Sequence, residues 1–127
     1  MKHKLKALGS KTKKFTKLET FPAPLGVSNV TCTSDEVTAL CPVTGQPDWY
    51  VVEICYRPNQ LCVESKTLKL FLQSFRDKGH FCEDFSRIIA EKFMQDLKPN
   101  HVAVTVTQKP RGGVSIKSVA ALNDIDS

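Results

Sequence analysis

The stretch that decides the fold is WYVVEICY, residues 49–56. Its side chains alternate, because Tyr50, Val52 and Ile54 would face one side of a strand and the residues between them the other side. Pro58 follows two residues later, and proline ends pairing in the interior of a sheet. The pattern predicts a β-strand from Trp49 to Tyr56 with one buried face.

Further elements lie on both sides of this strand. Before it, β-branched residues predict a strand at 27–34 that ends in a turn at Asp35-Glu36. After it, apolar residues three or four positions apart predict helices at 64–76 and 83–97, with Gly79 and Pro99 beyond their ends. Alternation then predicts strands at 101–108 and 114–118.

The predicted order of elements is ββααββ. Such a chain forms an α+β fold, in which an antiparallel sheet carries two helices on one face. We expect one domain at residues 27–118, between a basic, flexible tail at 1–26 and a C-terminal tail at 119–127. A four-stranded sheet leaves two open edges, which oligomerisation could cover.

Composition and charge narrow the class of protein. Hydrophobic residues make up 41% and charged residues 24% of the 127 residues, which is typical of a globular chain. No apolar run approaches the roughly 18 residues of a membrane span, and no secretory signal is evident, so we expect a cytoplasmic protein. Five cysteines without a CxxC pair favour neither a disulfide framework nor a zinc site. The net charge of +5 depends on seven lysines in the first seventeen residues, which are typical of a solvated tail but could also bind phosphates.

The loop LCPVTGQPD, residues 40–48, carries the best candidate for covalent chemistry. Cys41 precedes Pro42, and a thiol at the start of a turn can gain from backbone N–H groups that lower its pKa. A thiolate is the reactive form that nucleophilic catalysis needs. Asp48 ends the same loop and could transfer a proton. The residues alone leave the alternatives open, because a single cysteine is often a buried apolar residue and aspartate is common in turns.

Charged residues at the two predicted helices form a second set of candidates. Glu64 and Glu83 open the helices, where the dipole favours acidic residues without any function. A carboxylate could also grip the adjacent N–H donors of a guanine-like ring. Lys66 and Lys69 would form a cationic stripe, either solvated or bound to nucleotide phosphates.

Two motifs give the chain a specific resemblance. The loop LCPVTGQPD at 40–48 and the stretch VESKTLKLF at 63–71 resemble the short form of the NADPH-dependent nitrile reductases that act on 7-cyano-7-deazaguanine (preQ0) in queuosine biosynthesis. The likeness continues through SFR at 74–76, ED at 83–84 and PRGG at 110–113. It covers roughly residues 27–118.

The resemblance implies a fold and a mechanism. The family has the tunnelling fold, and its subunits assemble side by side into pentameric rings that can stack as a decamer. Cys41 would attack the nitrile carbon to form a covalent thioimide, while Asp48 protonates the nitrogen. Two NADPH molecules would then supply the hydrides that give the aminomethyl product, preQ1.

The resemblance also assigns the binding residues. Val63, Glu64, Ser65, Cys82 and Glu83 match positions that hold the deazaguanine ring in the family. Lys66, Lys69 and Arg111 are the candidates for the phosphates of NADPH. This chain has Cys82 where the family carries histidine, and Thr67 where it carries serine or alanine. No metal site is implied, and preQ0 is the expected small-molecule partner, with neither nucleic acid nor membrane required.

Three other functions are compatible with parts of the chain. An amidinotransferase-like enzyme of the same fold would act, without NADPH, on preQ0 already placed in tRNA. It ranks second, because such enzymes resemble this chain poorly at 64–71, where the motif of the reductases is nearly intact. GTP cyclohydrolase I would need a zinc site that these spacings do not supply. A nucleic-acid binding module has only the lysine-rich tail in its favour.

Overall fold

A computed structural model describes residue 15 and residues 17–124. They form six strands, two α-helices and one 3₁₀ turn, in the order β1 (Thr20–Pro22), β2 (Val30–Leu40), β3 (Pro47–Arg57), β4 (Leu61–Val63), α1 (Ser65–Gln73), the 3₁₀ turn (Ser74–Asp77), α2 (Cys82–Asp96), β5 (His101–Arg111) and β6 (Val114–Asn123).

The main sheet has four strands in the order β2-β3-β5-β6, and every pairing is antiparallel. The strand predicted from the alternation at 49–56 is β3, which lies inside the sheet between β2 and β5. Tyr50 pairs with Val37 on one side and Gln108 on the other. The buried positions of β3 alternate as expected, since Asp48, Tyr50, Val52, Ile54 and Tyr56 are all buried.

Both helices cover the same face of this sheet. α2 packs on β5 and β6, while α1 and the 3₁₀ turn lie against β2. Side chains from both helices join the inward residues of the strands in one apolar core, where Phe85 and Phe93 of α2 are fully buried. The predicted α+β class, with two helices on an antiparallel sheet, is confirmed.

Strand β2 differs from its prediction, because it does not end at Asp35-Glu36. The register shifts between Ser34 and Val37, which is the mark of a β-bulge, and pairing then continues to Leu40. The two acidic residues are exposed at the bulge, whereas Val37 returns to the core. A polar pair that looks like a turn in the sequence is therefore an irregularity within one long strand.

Two short strands are an addition to the predicted elements. β1 pairs with β4 through the register Thr20 with Val63, and nearby Leu18 is buried, with its N–H donating to Asp96 Oδ2 at 2.9 Å. β1 lies in the segment expected to be a tail, and β6 continues to Asn123. The described fold is thus wider than 27–118 at both ends.

The lysine-rich start of the chain falls mostly outside the described residues, since only Lys17 of the seven lysines lies within them. Among the described residues, no helix is long and apolar enough to cross a membrane.

Candidate active site

The loop that carries Cys41 closes the hairpin between β2 and β3. Cys41 N–H donates to the Gln46 carbonyl at 2.7 Å, and Gly45 N–H donates to the Cys41 carbonyl at 2.8 Å. Gly45 has a φ of +76°, a left-handed conformation that glycine adopts without a steric cost. This tight loop fixes the backbone of Cys41 directly after the last residue of β2.

The thiol of Cys41 lies where donors favour its charged form. The pKa of Cys41 is lowered, first by a hydrogen bond from the Thr44 side chain and then by the backbone N–H groups of Thr44 and Val43. The Thr44 nitrogen lies 3.5 Å from Sγ. The negative charge of Asp48 acts in the opposite direction, which places its carboxylate within electrostatic range of the sulfur. The net result is a half-buried cysteine that forms thiolate more easily than a free one.

Asp48 is held in place by an ion pair. Its carboxylate is buried and accepts a hydrogen bond from Nη1 of Arg111, at the end of β5. This hydrogen bond and the charge of Asp48 raise the pKa of Arg111. Of the three residues proposed for cofactor phosphates, Arg111 therefore lies beside the catalytic candidates and is already paired with a carboxylate.

The start of α2 brings Cys82 and Glu83 to the same region. Cys82 is buried, and Sγ lies 3.5 Å from the Val106 carbonyl and 3.7 Å from that of Ile116. Burial raises the pKa of this thiol, and the neighbouring Glu83 raises it further. Cys82 is thus a buried residue with a protonated thiol, whereas Glu83 is exposed.

Tyr50 lies among these groups and was not singled out by the sequence. Burial raises the pKa of its phenol, and electrostatic interactions with Asp48, Cys82, Cys41 and Glu83 add to this effect in that order. All four predicted residues therefore lie within electrostatic range of one hydroxyl. We call the following set the cysteine cluster: Cys41, Asp48, Tyr50, Cys82, Glu83 and Arg111.

The start of α1 holds the other predicted ring-binding residues. Glu64 caps this helix, because its carboxylate accepts from Thr67 N at 2.8 Å and from Lys66 N at 3.0 Å. These bonds, led by that from Lys66 N–H, lower the pKa of Glu64. Val63 is buried, and its N–H donates to the Tyr56 hydroxyl at 2.9 Å.

A groove of about 440 Å³ runs between α1 and β2. We call it the α1 groove, and its lining includes Ser65, Lys69, Gln73, Arg76, Cys32 and Thr38. Lys69 thus shares a cavity with Arg76, while Lys66 is exposed on the same helix outside the lining.

The structure separates the predicted ring-binding residues into two places. Val63 contacts Tyr56, which lies eight residues along β3 from Asp48, a distance of roughly 26 Å at about 3.3 Å per residue. Within residues 15 and 17–124, no side-chain hydrogen bond or ion pair joins Val63, Glu64 or Ser65 to the cysteine cluster. One chain therefore presents these two sets at opposite ends of its sheet.

The strand end before Cys41 is tied to the connection between the helices. Leu40 N–H donates to the Lys78 carbonyl at 2.8 Å, and His80 N–H donates to the Leu40 carbonyl at 3.3 Å. A Cβ atom on Gly79 would lie 3.4 Å from the Pro42 Cα, so this glycine is in close contact with the loop. The segment 78–80 therefore packs directly against the loop that carries Cys41.

Fold and site together define a class, which is that of α+β proteins in which two helices cover one face of an antiparallel sheet and a loop at the end of that sheet carries a cysteine with a lowered pKa. The crystal structure of the archaeosine synthase QueF-Like in its apo form superposes with a TM-score of 0.71 over 76% of this chain and 94% of that one. At 24% identity, this likeness concerns the fold alone.

The model of the QueF-like protein family matches residues 47–126, and the chain belongs to that family. It is 43% identical over 122 residues to the NADPH-dependent 7-cyano-7-deazaguanine reductase of Chelativorans sp. (strain BNC1), covering 88% of this chain and 78% of that protein. The enzyme of the same name from Frankia casuarinae is 39% identical over 78% of this chain and 79% of its own length. The one from Rhizobium rhizogenes is 49% identical over 84 residues, and there the chain spans 54% of the relative.

Proposed function

We propose that this protein is a cytoplasmic, NADPH-dependent reductase of queuosine biosynthesis. It converts the nitrile of preQ0 into the aminomethyl group of preQ1. The observation that carries the proposal is the Cys41 thiol, whose pKa is lowered by donors of its own loop, within electrostatic range of Asp48. Relatives that bear the name of this reductase match the chain over most of its length.

The first chemical step joins sulfur to carbon. A nitrile carbon is a modest electrophile, which suits a thiolate. Asp48 takes the proton of the Cys41 thiol, the sulfur bonds to the nitrile carbon, and Asp48 returns the proton to the nitrogen. The product is a neutral thioimide, with no atom gained or lost. Arg111 contributes by fixing the carboxylate of Asp48.

Glu83 is the best placed carboxylate for the deazaguanine ring. Within the described part of the chain it takes part in no side-chain hydrogen bond or ion pair, so both oxygens can accept from the ring N–H and the exocyclic amine. The Glu64 carboxylate already accepts hydrogen bonds from two backbone N–H groups. It would therefore bind the ring with the lone pairs of its oxygens that these two bonds leave unused. Val63, Ser65 and Cys82 would form the walls around it.

Each complete site would be shared between two subunits, in a homo-oligomeric ring. Cys82 and Glu83 would come from one copy and Val63, Glu64 and Ser65 from its neighbour, because one chain holds these sets far apart. The edges of the sheet, β2 and β6, each pair on one side only among the described strands. Trp49 and Val119 are 54% and 60% exposed on the face without helices, which leaves apolar surface for contact between copies.

The α1 groove is suited to the phosphates of NADPH. Lys69 and Arg76 bring two positive charges to a cavity whose lining holds one negative charge, that of Glu36, and Lys66 adds a third positive charge on the adjacent surface. NADPH held there would supply the hydride chemistry of the reduction, while these residues would position it. Arg111 would reach a phosphate only after its ion pair with Asp48 opens, so its primary role here is to hold Asp48.

The proposal is tested with purified protein, preQ0 and NADPH. We expect NADPH oxidation, and without NADPH a mass increase equal to one preQ0 that is absent in Cys41→Ala. An adduct without NADPH oxidation would instead favour the amidinotransferase-like function. Wild-type protein that forms no adduct and oxidises no NADPH would refute the reductase assignment.

The shared site is tested by mixing inactive variants after dissociation and reassembly. Cys41→Ala and Glu64→Ala damage different subunits of each interface, so mixed rings regain some intact sites and some activity. Cys41→Ala mixed with Asp48→Asn is the matched control, because both changes fall in the same half. If the first mixture stays as inactive as the control, the site lies within one chain.

A further inference from the structure

Tyr50 carries a hydroxyl that the fold does not use. The residue is 1% exposed, and within residues 15 and 17–124 its oxygen makes no hydrogen bond to another group. Buried hydroxyls are nearly always paired, since an unpaired one loses its bonds to water and gains nothing in return. The Tyr50 hydroxyl is therefore available to a partner that the described part of the chain does not supply.

The direction of the hydroxyl follows from its neighbours. Tyr50 and Asp48 are two residues apart on β3, so their side chains share the inward face of the sheet. The ring meets Phe85 edge to face at a centroid distance of 5.1 Å, one turn after Cys82 and Glu83 at the start of α2. The phenol is thus flanked by Asp48 on its own strand and by the start of α2.

We infer that Tyr50 is a further substrate-binding residue, whose hydroxyl donates a hydrogen bond to an acceptor of the bound deazaguanine nitrile. The inference rests on the function proposed above. A substrate that is attached to Cys41 and bound by Glu83 must span the space between these two residues. Tyr50 lies within electrostatic range of both. In that span the substrate offers two acceptors, the nitrile nitrogen and the ring carbonyl oxygen.

The environment decides that the phenol donates and does not act as a base. Burial, and the negative groups around it, raise the pKa of Tyr50, so the hydroxyl keeps its proton at neutral pH. A neutral, buried donor also discriminates, because a ligand without an acceptor at this point would leave the hydroxyl unpaired.

The test is Tyr50→Phe, which removes one oxygen and keeps the ring against Phe85. We expect the second-order rate constant of adduct formation with preQ0 to fall about tenfold. It is measured by mass spectrometry without NADPH. A loss at low substrate only would indicate the ring carbonyl as acceptor. A loss that persists at saturation would indicate the nitrile nitrogen, where negative charge develops.

Tyr56→Phe is the matched control for stability. Tyr56 lies on the same strand and face and is equally buried, but its hydroxyl accepts from Val63 N–H. We expect Tyr56→Phe to lower the melting temperature and Tyr50→Phe to leave it unchanged or raise it. The inference is overturned if Tyr50→Phe forms the adduct at the wild-type rate, or if it loses as much stability as Tyr56→Phe. A wild-type protein without adduct would overturn the reductase function and this inference with it.

Discussion

The carboxylate of Glu64 gives the most quantitative test of the reasoning. α1 has only nine residues, and Glu64 satisfies two of the N–H groups in its first turn, at 2.8 and 3.0 Å. Loss of an N-cap acceptor costs about 0.5–2 kcal/mol, and because Glu64 is partly exposed, water replaces some of that interaction. We expect Glu64→Ala to lower the free energy of unfolding by about 1 kcal/mol. In a chain of this length that corresponds to roughly 4 °C in Tm.

The charge of Glu64 can be separated from its oxygens. Glu64→Gln keeps an acceptor and loses the interaction with the helix dipole, so we expect about half the effect of Glu64→Ala. The pKa of Glu64 is lowered in the folded state. Its contribution is therefore present above the unfolded pKa, near 4.3, and is lost as pH falls through the lower folded pKa. The difference between wild type and Glu64→Gln should shrink in that window.

The assay is urea unfolding at one protein concentration, at pH 7 and again near pH 3, with the slope of the transition compared between variants. Glu91→Gln is the control, because Glu91 is 55% exposed in a surface pair with Arg87 and should matter little. Glu64→Ala with wild-type stability at pH 7, or a deficit for Glu64→Gln that is unchanged near pH 3, would refute the capping role.

Three further predictions concern the thiol, the proton donor and the core. Thr44→Val removes the main donor to Cys41, so its pKa should rise and the acid limb of iodoacetamide alkylation should move to higher pH; an unchanged profile would contradict the role of Thr44. Asp48→Asn should lose turnover severely with the fold retained by circular dichroism, and a near-normal rate would remove Asp48 from the mechanism. Phe93→Ala should cost about 3–5 kcal/mol in urea unfolding, because Phe93 is fully buried against Tyr56; a cost below about 1 kcal/mol would contradict its place in the core.

The sequence predicts the strands and helices well where their periodicity is long. The alternation in β3 and β5 and the helical spacing in α2 come from burial on one face, which a single chain records directly. The bulge at Asp35-Glu36 is different, since its residues look like a turn unless Val37 and Ala39 are counted as a return to the core. β1 and β4 have three residues each, too few for a period to emerge.

The site is predicted in its residues more than in its geometry. Cys41 and Asp48 share one loop, so local sequence brings them together. Tyr50 occupies an inward position of the alternating pattern, as Val52 does. Only its unpaired hydroxyl, which the sequence does not reveal, distinguishes it from an ordinary core residue. The distance between Glu64 and Glu83 depends on which end of the sheet each helix begins at, and that is a tertiary fact without a local signature.

The attachment of Leu40 to the segment 78–80 has a mechanical consequence. Arg76, in the α1 groove, is only two peptide units from the Lys78 carbonyl that anchors Leu40, and Cys41 is the next residue. A displacement of Arg76 would therefore be passed along two peptide units to the carbonyl that fixes Leu40. The α1 groove and the loop of Cys41 are thus joined by the short segment 76–80, in which Lys78 and Gly79 pair with Leu40.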